Sequence, residues 1–147
     1  MNTPTHPLAG VLLLINRLTL GLYVAAAGLG ALVQAFGGEF VKNSFINLRP
    51  SWLPAFLARP LDYVLYLGSI VFGVLLASGA FTRIAALGIA VIGAVITLSL
   101  FTEYGLSGGG PNWVHHYLVM VSLALLLASI GPGPYSADQT FLKKTWS

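Results

Sequence analysis

The chain has 147 residues, 56% of them hydrophobic and only 7% charged. A water-soluble domain carries about 25% charged residues, so this composition excludes a water-facing surface over most of the molecule and makes lipid its main solvent. The formal net charge of +3 is too small to point to nucleic acid, and the absence of cysteine excludes thiol–disulfide exchange, thiolate metal sites and covalent haem attachment.

Four stretches are apolar enough to cross a hydrocarbon core, which needs about 20 residues of helix. They run over 8–36, 61–78, 84–101 and 113–130. The expected fold class is therefore all-α: an integral membrane four-helix bundle, one domain over residues 1–147, with no soluble domain attached. The first stretch is too long for a signal peptide and lacks a small-residue cleavage site behind a basic leader. Within it, Arg17 shares a helical face with Gly21, Ala25 and Gly28. An intramembrane charge usually faces protein, so Arg17 reads as a polar anchor in the bundle for a carboxylate, a backbone carbonyl, a lipid headgroup or a quinone carbonyl. A guanidinium that snorkels to the membrane surface is the other reading, and it stays open.

The first connection, "GGEFVKNSFINLRPSWLPAFLARP", places Trp52, Leu53, Phe56 and Leu57 at helical spacing between Pro50 and Pro60. That pattern predicts a short interfacial helix with Trp52 at headgroup level. On the second span Ser69, Gly73 and Ala77 repeat every fourth residue, and on the third Ala86, Ala90 and Ala94 do the same, with Gly93 and Thr97 close by. Membrane helices associate where small residues let backbones approach. Between these spans, "SGAFTRIAAL" predicts an antiparallel hairpin, with Gly79 in the left-handed helix-ending position and Thr82 capping the next helix. The third connection, "TEYGLSGGGPNW", is glycine-rich and reads as a mobile loop, with a lid or docking strip as the alternative.

His115 and His116 open the fourth span, where Ala124 and Ala128 provide the small residues. Helix neighbours point about 100° apart, so only one of the pair can face the bundle. A bis-histidine haem needs a partner on another helix, and His6, the remaining histidine, precedes the first span. What remains for the pair is a hydrogen bond to a quinone oxygen or contact with headgroups, with pigment ligation disfavoured. The acids are Glu39, Asp62, Glu103 and Asp138, and by these boundaries none sits mid-membrane, which argues against a proton pump or an ion-coupled transporter. Glu103 with His115 or His116 suggests a polar cluster at the far surface, too weak a signal to predict a metal site. Four spans without visible inverted repeats or broken helices also speak against a transporter or lipid carrier.

After the fourth span comes "GPGPYSADQTF". Gly131 and Pro132 end the fourth helix, and Ser136 or Asp138 is placed to cap a short surface helix over 139–144, with Lys143, Lys144 and Trp146 at an anionic leaflet. Even span number puts both termini on one side with Arg83, which leads us to expect an Arg83–Asp138 pair. Basic residues are nearly balanced between the two sides, and Arg17 tips the count towards cytoplasmic termini.

Three stretches together resemble the DoxX-like family of small bacterial membrane proteins: "INRLTLGLYVAAAGLGALV", "GVLLASGAFTRIAAL" and "GPGPYSADQTF". The matching positions are Arg17, Gly73, Gly79, Thr82, Arg83, Gly131, Pro132, Gly133, Ser136 and Asp138. The resemblance implies a four-helix membrane bundle of the bacterial inner membrane. It also implies a link to quinone-coupled sulfur oxidation, as in the membrane subunit of thiosulfate:quinone oxidoreductase, or to oxidative-stress complexes. Two departures stand out: Ser69 lies where many members carry an acid, and Pro134 where the family turn often continues with arginine. The loss of that acid favours a scaffold that has shed catalytic equipment.

The expected function is thus an accessory or structural subunit of a larger quinone-linked respiratory or photosynthetic complex, not catalytic by itself. The alternative is a quinone-binding subunit of an oxidoreductase. Candidate ligand residues are Arg17, Ser69, His115 and His116, and Thr82, Arg83, Ser136 and Asp138 are expected to fasten the bundle's terminal end. No intrinsic cofactor or metal is expected; quinone or bound lipid is. The expected partners are the bilayer and other membrane subunits, without nucleic acid.

Overall fold

The computed structural model describes residues 7–36, 53–104, 113–131, 133 and 135–138. They form the helices α1 (Pro7–Phe36), α2 (Ala55–Ser78), α3 (Thr82–Tyr104) and α4 (Trp113–Ile130). Three are long and apolar enough to cross a membrane, over Leu8–Phe36, Phe56–Ser78 and Thr82–Thr102. The fourth is a shorter apolar helix, His115–Ile130. The interior is built mainly from small and aliphatic residues, among them Ala58, Ala85, Ala86, Ala90 and Ala124 with Leu76, Ile89 and Leu127. Larger apolar side chains such as Leu22, Val33, Val64, Val74, Val91 and Leu125 point outward. Large apolar groups outside and small ones inside suit a bundle whose solvent is lipid and whose cohesion comes from close packing.

The helices pair unequally. α1 packs closely on α2 and α3 on α4, while α2 and α3 touch less and α1 and α4 least. The α1–α2 crossing is made by Gly21 and Gly73. A Cβ on Gly21 would sit 2.7 Å from the Gly73 carbonyl oxygen and the Ala77 nitrogen, and one on Gly73 would sit 2.6 Å from the Ala25 nitrogen. Between α2 and α3 the Phe72 ring fills the notch at Gly88, where a Cβ would lie 2.6 Å from ring carbons. Between α3 and α4, Gly93 accommodates Val121 at 2.7 Å. The small-residue stripes seen in the sequence are thus the helix contacts.

The second helix departs from expectation. It starts at Ala55, after Pro54 in an extended conformation, and continues straight through Pro60. Phe56 and Leu57 are therefore the first turns of a spanning helix, not part of a separate interfacial one that Pro60 would end. Pro60 lies just past the first turn and removes one bond, the one an amide there would give to the Phe56 carbonyl, and the long apolar run beyond it carries the helix on. Trp52, the glycine-rich third connection, the side chain of Glu103 and the tail over 139–144 lie outside the described residues.

Candidate functional site

At the terminal end, the α2–α3 turn and the segment after α4 hold each other. Gly79 adopts φ 74°, and the amides of Gly79 and Ala80 bond back to Leu75 and Leu76 carbonyls, closing α2 in a left-handed turn. Phe81 follows at φ 50°, an uncommon conformation for a bulky residue. Its amide donates to Asp138 Oδ1 at 2.7 Å, and the Thr82 amide donates to Oδ2 at 3.0 Å. The Asp138 amide in turn donates to the Gly79 carbonyl at 3.1 Å. A carboxylate 56 residues downstream thus caps the first turn of α3, where helix-end amides favour negative charge.

Arg17 belongs to this end. It is 4% exposed, donates from Nη2 to the Tyr135 carbonyl at 2.7 Å, and is attracted electrostatically by Asp138. Its guanidinium lies flat on Gly79, where a Cβ would be 2.6 Å from Nη1. The anchor reading of Arg17 therefore holds over the snorkelling one, with a backbone carbonyl as its acceptor. Two expectations need correction. Thr82 does not cap α3: it is the helix's first residue, its Oγ1 is buried without a hydrogen-bond partner, and Asp138 does the capping. Arg83 does not pair with Asp138, whose oxygens are taken by backbone amides; its guanidinium lies over Gly131, where a Cβ would meet Nε at 3.2 Å. Asp138 caps the start of α3, and the Ser136 hydroxyl donates to the Gly133 carbonyl at 3.1 Å, while the surface helix expected over 139–144 lies outside the described residues.

Deeper in the bundle, the loose α1–α4 contact leaves a cavity of about 390 Å³. Tyr23, Gly28 and Gly30 border it from α1, Tyr66 and Ser69 from α2, and Tyr117 from α4, while α3 contributes Ile92, Ile96 and Ser99. Most of the lining is apolar, and the polar exceptions are mainly phenols and hydroxyls. Tyr23 Oη and His116 Nε2 are hydrogen-bonded at 2.7 Å across the α1–α4 seam, with the rings edge-on at 5.3 Å. Tyr66 follows Asp62 by one helical turn, so the two share a face of α2. Ser99 Oγ is used locally, on the Val95 carbonyl at 2.8 Å. The α1 side of the cavity is open: Ala26, Ala27 and Gly30 are exposed, and a Cβ on Gly30 would meet nothing within 4 Å.

The candidate ligand residues fall in different places. Ser69 borders the cavity, His116 reaches its edge through Tyr23, His115 is exposed, and Arg17 is in the terminal cluster away from the lining. Sequence reasoning missed Asp62, Tyr66, Tyr23 and Tyr117. Asp62 is only 2% exposed and so lies inside the bundle, nearer the start of α2 than its middle. Starting the span at Leu61 had put Asp62 at the membrane edge, whereas the longer helix places it about two turns inside. The Asp62–Tyr66 spacing of four was the available signal.

A polar cluster that fastens one end, lipid-facing helices around a small-residue interior, and an internal cavity define a small integral membrane protein. The DoxX family model matches residues 12–102, and the chain belongs to the DoxX family. The match takes in the first two of the three resembling stretches; "GPGPYSADQTF" lies beyond it. No curated protein and no solved structure gives a significant match.

Proposed function

We propose that this DoxX-family protein is a quinone-binding subunit of a larger assembly in the bacterial inner membrane, with both termini cytoplasmic. The cavity carries this reading. Its volume of about 390 Å³ falls in the range of about 300–1,000 Å³ usual for small-molecule sites, which are largely apolar with a few convergent polar groups. Phenols from three helices, Tyr23, Tyr66 and Tyr117, offer hydrogen bonds to the oxygens of a flat ring, and Ile92, Ile96 and Met120 offer faces for it. The opening beside Gly30 gives an isoprenoid tail a way into lipid. In this reading the chain binds and orients the ring, while electron transfer to or from it belongs to partner subunits, in keeping with a chain that has no cysteine to carry thiol redox chemistry.

The test is purification from native membranes in mild detergent, with extraction and identification of bound quinone and of co-migrating subunits. Quinone is expected at near one per chain. Ile96→Trp, which fills the cavity from α3, should remove the quinone and leave the co-migrating subunits in place. Quinone retained in Ile96→Trp, or phospholipid alone in the native protein, would overturn the reading.

A further inference from the structure

A serine or threonine hydroxyl inside a membrane helix can bond back to a carbonyl one turn earlier, and an unmet hydroxyl among apolar groups is costly. This bundle keeps to that habit. Thr19, Thr97, Ser99 and Ser122 donate to the carbonyls of Ile15, Gly93, Val95 and Leu118 at 2.8, 2.7, 2.8 and 2.9 Å. Ser69 does not. Among the described residues its hydroxyl has no hydrogen-bond partner, and the side chain borders the cavity. Ser69 stands well inside α2: from the Gly79 turn it is about 15 Å along the helix, half the depth of a hydrocarbon core of about 30 Å. Its Cβ is held against α1, 2.9 Å from where a Cβ on Gly28 would lie. Thr82, also without a partner, lies at the terminal end and away from the cavity lining.

The other polar groups of the lining divide in the same way. Ser99 is bonded to Val95 and Tyr23 to His116. Tyr66 shares its helix face with Asp62. Gln34 is exposed in the last turn of α1, and a helix of 30 residues, about 45 Å long, carries that turn to headgroup level. Tyr117 is different: it is half-buried on α4, and among the described residues its hydroxyl has no hydrogen-bond partner. Helix contacts put it near the level of Ser69. A Cβ on Gly68 would lie 3.1 Å from Ile92 Cδ1, and a Cβ on Gly93 would lie 4.0 Å from the Tyr117 carbonyl oxygen. Since α2 and α4 each pack on α1 and α3, the two uncommitted hydroxyls come from opposite sides of the bundle.

Resting on the reading of the cavity as a quinone site, we infer that Ser69 and Tyr117 hold the two opposed carbonyl oxygens of a para-quinone. The ring lies across the bundle from α2 to α4, between the walls of α1 and α3. Both hydroxyls can donate, and both ring oxygens accept, so ring and wall satisfy each other. A lipid acyl chain in the same space leaves both hydroxyls unmet. Each hydrogen bond corresponds to about three- to tenfold in affinity.

The experiment uses the full chain in phosphatidylcholine nanodiscs with a decyl-tailed para-benzoquinone, isotope-labelled at one carbonyl carbon or at the other. Infrared difference spectra and equilibrium binding are measured, with empty nanodiscs as the baseline for both. In the native protein both carbonyl bands should fall below their frequency in empty nanodiscs, because a hydrogen bond weakens the C=O bond. Ser69→Ala keeps the Cβ packed on Gly28 and should return one band to its position in lipid. Tyr117→Phe keeps the ring and should return the other. Each should weaken binding about three- to tenfold. Bound quinone with unshifted bands in the native protein, or either substitution leaving both bands shifted whatever it does to affinity, would overturn the inference while the quinone site stands. Binding no greater than in empty nanodiscs would remove both.

Discussion

Asp138 is the residue on which most of the terminal end depends. Its two oxygens receive the Phe81 and Thr82 amides, and bonds from amides to a charged acceptor are stronger than neutral ones. Asp138→Ala strips α3 of its cap and should lower stability by about 2 kcal/mol, read as an earlier midpoint in denaturant titration of the detergent-solubilised protein. Phe81 gives the opposite expectation. Its positive φ is strained for a side chain that is 65% exposed, so Phe81→Gly relieves backbone strain at little packing cost and should raise stability by about 0.5–1 kcal/mol. Arg17→Leu removes the guanidinium under Gly79 and leaves the Tyr135 carbonyl and Asp138 without it. A loss of about 3 kcal/mol is expected, with ring binding in the cavity unchanged in nanodiscs. A loss of binding with stability intact would return Arg17 to the ligand site.

Among the elements, the α1–α2 crossing leaves the least room. Backbone atoms lie where a Cβ on Gly73 would go, and backbone cannot rotate away as a side-chain tip can. Gly73→Leu should separate the two helices and destabilise the bundle by about 3 kcal/mol or more, whereas Gly30→Leu, with open space around it, should leave stability unchanged and obstruct the cavity mouth. Comparing denaturation midpoints and quinone binding for these two variants separates packing from access. This level was the most legible in sequence, because close approach demands small residues at regular spacing: Gly21–Ala25–Gly28 and Ser69–Gly73–Ala77 announced the crossing directly. Pro60 misled, because the loss of one helical bond does not outweigh the apolar run that follows it in the same helix. The polar partnerships were less legible. Asp138 binding amides instead of Arg83 depends on the path of the turn at Phe81, and no spacing rule encodes that path. Tyr23 meeting His116 depends on how α1 and α4 splay.

At the scale of the whole molecule, unequal packing is what gives the protein a cavity. Two tightly joined pairs, α1 with α2 and α3 with α4, meet over less surface between α2 and α3 and least at the α1–α4 seam. The cluster around Asp138 fastens the α2–α3 turn, and a ligand in the cavity beside the looser seam should stabilise the bundle. Saturating quinone should therefore raise the denaturation midpoint of the native protein but not that of Ile96→Trp.

The capping of α3 from so far along the chain also orders events during synthesis. A growing chain reaches the membrane from its N-terminus, so α2 and α3 are made while the Phe81 and Thr82 amides still wait for Asp138. Until that carboxylate leaves the ribosome, the hairpin shows two bare donors at the membrane surface. The first turn of α3 is therefore sealed only when the segment after α4 folds back onto it.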